Sequence, residues 1–266
     1  ENSYNAKIST VAIDPANTTG DIFDQIVNDT TLTINGLTPN TTYYCYLQSN
    51  CGTIEWLEGS FTTPCEALTT FPFTEDFTST TFPPACWMQE RTAFGNTGSF
   101  YGTDYPNGAW ARSTITNGNN STPQAQLRDT RAGSKHNLVT APLDMTYAGG
   151  YIISMDVFRN TSSNPTEGIL VLVSSSDTID ATTDTLGFIS RDYTVASTIN
   201  GGIIGAETAS GWYTYELPIN RTGINYIIFE GNSQFGAHTY MDNISVFEIP
   251  TCLKPTDVTV GNITTN

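Results

Sequence analysis

Positive charge is what this sequence has least of. Ten Lys+Arg, three of them lysines, stand against 26 Asp+Glu in 266 residues, a formal net charge of -16. A chain without a cationic face cannot neutralise phosphates, which argues against nucleic acid as a partner. Anionic lipid headgroups would repel it. Long apolar runs are missing as well. No stretch approaches the roughly 18 residues a transmembrane helix needs, so membrane insertion is not expected. Catalytic and metal signatures are equally sparse. The only histidines, His136 and His238, sit in no H-x-x-H or H-E-x-x-H array, and no G-x-S-x-G elbow occurs. The five cysteines (Cys45, Cys51, Cys65, Cys86, Cys252) form no C-x-x-C pair, which disfavours zinc and leaves disulfides in an oxidising compartment. Cys65 and Cys86 flank one short segment and are the expected bridge. The odd count leaves one cysteine over, and Cys252 is expected to pair beyond residue 266. The first residues, Glu1-Asn2-Ser3-Tyr4, are polar, so the chain reads as a mature or excised fragment rather than one opening on a signal peptide.

What is abundant is threonine (44), asparagine (22) and aromatics (11%), with only 14% charged residues. Threonine and aromatics favour strands, while Asn, Gly and Pro favour turns. The fold class is therefore all-β. Residues 1–64 hold short alternating runs, among them Ala6–Val11 and Thr31–Ile34, and then Leu37-Thr38-Pro39-Asn40-Thr41-Thr42-Tyr43. A tyrosine so placed can turn its hydroxyl back to the corner backbone. This L-x-P-x-T-x-Y stretch, with Trp56–Thr63 as a last strand, resembles the end of a fibronectin type III module whose first strands are missing. Residues 65–250 carry strand candidates at Phe71–Phe77, Leu138–Leu143, Tyr151–Phe158, Ile169–Ser174, Trp212–Leu217, Ile224–Phe229 and Tyr240–Ile249, separated by turn formers. Many short strands without a helical stripe suit a jelly-roll β-sandwich. Residues 251–266 resemble the start of another fibronectin type III module.

Strand parity then singles out two acids. Glu75 shares the odd face of Phe71–Phe77 with three phenylalanines, and Asp242 shares the even face of Tyr240–Val246 with Ile244 and Val246. A carboxylate aimed inward must be paired or coordinated. In a chain with ten basic residues, calcium is a natural partner, because it takes six to eight oxygen ligands. Asp76 and Asn243 offer further oxygens beside it. The plainer reading is that both acids sit at solvated strand ends, or that a bulge shifts the parity.

Glu75-Asp76-Phe77 followed by Phe82-Pro83-Pro84-Ala85-Cys86-Trp87 resembles the E-x-F…P-x-x-W opening of MAM-like and cleaved-adhesin domains, the haemagglutinin-adhesin type found in gingipains. Asn137-Leu138-Val139-Thr140-Ala141-Pro142-Leu143-Asp144 resembles their internal L-V-[ST]-P strand, with Ala141 inserted. Tyr240-Met241-Asp242-Asn243-Ile244-Ser245-Val246 is similar to their closing strand. The resemblance spans about 180 residues. It implies a jelly roll, a structural calcium on Glu75 and Asp242, and a secreted or bacterial cell-surface protein.

The loop Phe100–Trp110 admits two readings. Tyr101, Tyr105 and Trp110 could form a sugar-binding surface, or Trp110 could open a strand and fill the core beneath the two tyrosines. Asp29-Thr30-Thr31, Asp177-Thr178-Ile179 and Asp184-Thr185-Leu186 resemble bacterial D-[ST]-apolar O-glycosylation sequons. The expected function is a non-catalytic adhesion region, calcium-stabilised, whose partners are a host or matrix glycan or protein and the neighbouring modules of its own chain. The alternative is an ancillary carbohydrate-binding module of a larger secreted hydrolase. No motif supports an enzyme.

Overall fold

The computed structural model describes residues 3–29, 31–50, 55–95, 105, 107–116, 119–161, 164–199, 202–234 and 236–250. Contacts divide the chain into two compact units, Glu1–Glu66 and Ala67–Asn266. The described residues form strands and loops without a helix, so the all-β expectation holds. The segment 251–266, with Cys252, lies outside the described residues, as do Cys51 and Tyr101.

The first unit is one antiparallel sheet of order β2-β1-β3-β4, built from β1 (Tyr4–Ser9), β2 (Phe23–Val27), β3 (Thr42–Ser49) and β4 (Leu57–Thr62). Its register aligns Phe23, Ile8 and Cys45 in one row, Ala6, Leu47 and Leu57 in the next, and Tyr43 with Phe61. Directly opposed residues share a face, so this face is apolar. Tyr43 stacks on Phe61 at 5.6 Å between ring centroids. Its hydroxyl accepts the Thr38 N–H at 2.8 Å, the corner bond the sequence pattern suggested. Thr31–Ile34, expected as a strand, is not one. Leu32, Ile34 and Leu37 instead lie over the apolar face and line a cavity of about 680 Å3 with Ile8, Leu47 and Phe61. An alternating run becomes a strand only when a neighbouring edge takes its N–H and C=O groups.

The second unit is a two-sheet sandwich. Its strands are β5 (Phe73–Glu75), β6 (Met88–Ala93), β7 (Trp110–Thr116), β8 (Asn119–Leu127), β9 (Ser134–Val139), β10 (Leu143–Met145), β11 (Tyr151–Arg159), β12 (Gly168–Ser174), β13 (Asp184–Ser190), β14 (Ser197–Ile199), β15 (Gly202–Ile204), β16 (Gly211–Ile219), β17 (Gly223–Ser233) and β18 (Thr239–Glu248). One sheet has eight strands in the order β15-β14-β13-β12-β17-β9-β6, with β10 also on β17. The other has six in the order β16-β11-β18-β8-β7, with β5 also on β18. Ile153, Met155, Val157 and Leu217 from the six-stranded sheet join Leu138, Val171, Ile227 and Phe229 from the eight-stranded sheet in one buried cluster. This is the sandwich that the strand count implied. Alternation is regular along β11, where every second residue from Tyr151 to Arg159 is buried.

Two buried charges, Arg159 and Asp129, are satisfied within the frame. Arg159, fully buried, donates to the Ser190 carbonyl at 2.7 Å and the Tyr215 hydroxyl at 2.8 Å, and also reaches the carbonyls of Asp192 and Val195. It thereby pins the loop after β13 to β11. Asp129 accepts from Arg131 at 2.6 Å and lies 2.8 Å from His136 Nε2. Burial alone would raise the Asp129 pKa, but the hydrogen bonds from His136 and Arg131 hold it well below the usual carboxylate range.

Candidate functional site

The first and last strands of the sandwich meet in the six-stranded sheet. β5 pairs with β18, placing Glu75 opposite Ile244 and Phe73 opposite Val246. Glu75 therefore does share a face with apolar residues, as its parity indicated. Its carboxylate accepts the Phe77 N–H at 2.6 Å. Burial, with the charge of Asp76 behind it, raises its pKa, against the pull of that hydrogen bond.

Asp242 is placed differently from the sequence expectation. Against β11, Ser245 lies opposite Ser154 but Asp242 lies opposite Asp156, so two residues of β18 face Met155 alone. This is a β-bulge, and Asn243 within it takes a left-handed φ of 49°. Each bulge moves the residues beyond it to the other face. Met241, opposite Val157, takes the core position. Asp242 joins Asp156 on the opposite face, not the face of Ile244 and Val246. It is nonetheless only 5% exposed.

Four further residues gather around it. Asp242 accepts the Asn243 N–H at 2.8 Å and the Thr122 hydroxyl at 3.3 Å. Burial, joined by the charges of Asp156 and Asp76, pushes its pKa up to about 6 despite those two bonds. Asp156 accepts the Asn243 side-chain amide at 2.8 Å and the Thr214 hydroxyl. Asp76 is exposed and accepts the Thr78 hydroxyl at 2.7 Å and N–H at 3.0 Å, which hold its pKa below the usual value. Among the described residues no Lys or Arg forms an ion pair with Glu75, Asp76, Asp156 or Asp242. No three Asp, Glu, His or Cys side chains among them converge as a preformed metal centre. The site is thus a carboxylate neighbourhood with unbalanced charge, gathered about Asp242. Asp156 and Thr122 carry no sequence signal for membership, because it depends on the bulge and on pairing over long separations.

The aromatic loop resolves differently at each residue. Trp110 is 2% exposed and belongs to the core. Its indole N–H donates to the His136 carbonyl at 2.9 Å, and its ring sits against the position of Gly231, where a Cβ would lie 2.9 Å from it. A ring enclosed on that scale cannot receive a sugar, so Trp110 is corrected from ligand-binding candidate to core residue. Tyr105 is partly buried and packs against the same core. Cys65 and Cys86 are each disulfide-bonded, in agreement with the expected bridge. Cys45 is a free thiol, and burial raises its pKa. Thr178 and Thr185, in the two sequon-like triplets that are described in full, are exposed.

No family model matches the chain, and no curated protein does. Among solved structures, the K1 cleaved adhesin domain of Lys-gingipain from Porphyromonas gingivalis W83 is similar at 16% identity and a TM-score of 0.44, over 68% of this chain and 100% of that one. The K3 cleaved adhesin domain of the same protein is similar at 18% identity and a TM-score of 0.40, over 66% of this chain and 96% of that one. A structure of carbohydrate-binding modules from the β-sandwich superfamily covers 93% of this chain and 84% of its own at 11% identity, with a TM-score of 0.40.

Proposed function

We propose that the chain is a non-catalytic binding region of a modular secreted or cell-surface bacterial protein. Its second unit is a jelly roll clipped by calcium, and its first unit is part of a fibronectin type III-like module. One observation carries the calcium reading. Asp242 is a buried carboxylate flanked by two other acids, with two hydrogen-bond donors and no basic partner among the described residues. A hard cation offsets that charge. Asp242 and Asp76 supply carboxylates, Asn243 and Thr122 lie alongside, and carbonyls and water complete the shell. Glu75, directed to the other face, contributes only if its strand end turns. Bound calcium would tie the start of the sandwich to its last strand.

The disulfide-bonded Cys65 and Cys86 support an oxidising compartment. The Tyr43 corner bond and the four-stranded sheet support the partial-module reading. The alternative role, an ancillary carbohydrate-binding module, is favoured by an exposed tryptophan, Trp212, on the outer face of the six-stranded sheet.

Calorimetric titration of metal-stripped protein with calcium tests the clip. Saturable binding that disappears in Asp242→Asn supports it, and no heat of binding sinks it. Binding of labelled protein to immobilised glycans and matrix proteins tests the binding role. Turnover of a substrate by the isolated chain would replace that role with an enzyme.

A further inference from the structure

We infer that the outer face of β16 and β11 is a binding surface for a neutral glycan. This inference rests on the carbohydrate-module reading and locates its site. The register sets Trp212 opposite Phe158, and Phe158 opposite Tyr240. Their rings meet edge to face, at 5.5 Å for Trp212 with Phe158 and 6.1 Å for Phe158 with Tyr240. The row is graded. Tyr240 is buried, Phe158 is half-buried, and Trp212 at the sheet edge is 36% exposed. The inner rings hold the outer one in a fixed attitude. An indole held open to water at a sheet edge is a platform for the C–H face of a sugar, and a rigid platform loses little entropy on binding.

The next row on the same face is polar. Thr214 lies opposite Asp156, and Glu216 follows on β16. It stands two residues along the strands from the rings, about 7 Å away, near the breadth of one pyranose. A sugar stacked on Trp212 would therefore present its hydroxyl edge to Asp156 and Thr214, with Glu216 one row further along the same face. Oxygen acceptors beside one ring are how sugar sites combine stacking with orientation.

Charge selects among glycans. Arg159 is the one basic residue of the two strands, and its guanidinium is buried against carbonyls on the other side of the sheet. With Asp156 and Glu216 in the face and a chain charge of -16, sulfated or uronic polymers are repelled. A protein partner is disfavoured because the apolar area is one ring wide and bounded by acids, whereas stable interfaces bury an apolar core within about 1,200 Å2 or more.

The test uses the whole chain in affinity electrophoresis through gels containing mannan or mixed-linkage β-glucan, with heparin as the acidic probe. The expected result is retardation by a neutral polysaccharide and none by heparin. Trp212→Ala, checked for an unchanged melting temperature, should weaken it about tenfold, while Tyr105→Ala leaves it intact. Tryptophan emission should shift on titration with the retarding polysaccharide, and Trp212→Phe should abolish that shift while keeping a ring against Phe158. Binding that survives in Trp212→Ala but is lost in Tyr105→Ala overturns the face while leaving the carbohydrate reading standing. Absence of binding to every polysaccharide overturns both, and binding to heparin alone overturns the charge argument.

Discussion

Asp242 illustrates how a single carboxylate can be a liability in one state and an anchor in another. Its pKa in the fold is about 6 against 3.8 for an ordinary Asp. Below the lower value the group is protonated in both folded and unfolded chains, and contributes nothing to the balance. Between the two values the unfolded chain releases the proton while the folded chain keeps it, so stability falls as pH rises through that window. Above about pH 6 the cost is complete, at most about 3 kcal/mol and less where water screens the charge. In chelator, Asp242→Asn should therefore melt above wild type at pH 7 and equal to it near pH 3.5. In saturating calcium the order at pH 7 should reverse, because the metal requires the ionised form. Melting curves of both proteins at the two pH values, with calcium and with chelator, check this, and an order unaffected by calcium refutes the anchor. Asp129 behaves oppositely. Its depressed pKa gives stability that is present above about pH 4 and lost as pH falls below it. Asp129→Ala removes the carboxylate that Arg131 and His136 both bond and should cost about 3 kcal/mol at neutral pH, measurable by urea unfolding.

At the scale of elements, the fit between neighbouring strands decides what a side chain can do. Gly231 on β17 lies against Trp110 and Leu127, and an added Cβ would stand 2.7 Å from Leu127 and 2.9 Å from Trp110. Gly231→Ala should destabilise by about 1–3 kcal/mol and change Trp110 fluorescence, with Gly202→Ala, where nothing stands within 4 Å, as the neutral control. The same dependence on neighbours explains what the amino-acid pattern could reveal. β11 and β16 alternate cleanly and were legible, as was the Tyr43 corner, because each follows from residues close in sequence. Asp242 was misplaced because a bulge at Asn243 reverses parity, and a bulge has no side-chain period of its own. Trp110 was ambiguous because an aromatic in a turn-rich stretch reads alike whether it faces solvent or a core formed by β9 and β17. Thr31–Ile34 alternates like a strand but lies over the apolar face of the sheet instead of pairing with one of its edges. Short strands such as β14 and β15, three residues each, carry too few positions for a period to show.

Across the whole molecule, the two units differ in how completely they enclose their apolar surface. The second unit closes two sheets on one core. The first has a single sheet; among the described residues of that unit the Leu32–Leu37 segment lies over its apolar face, and Leu57 is 72% and Phe61 43% exposed. Exposed contiguous apolar surface binds hydrophobic dyes and promotes association. The full chain should therefore enhance the fluorescence of 8-anilinonaphthalene-1-sulfonate well beyond a chain of residues 65–250, which keeps Cys65 with Cys86, and Leu57→Glu with Phe61→Glu should remove most of that excess. Phe61→Glu also removes the ring stacked on Tyr43, so circular dichroism of the variant must first show that the sheet persists. A lone sheet with such a face gains stability from a second apolar layer, since one side of its core otherwise stands in water. Equal dye binding by the full chain and by residues 65–250 would mean that the face is already covered in solution, and the reading of residues 1–64 as an incomplete sandwich would fall.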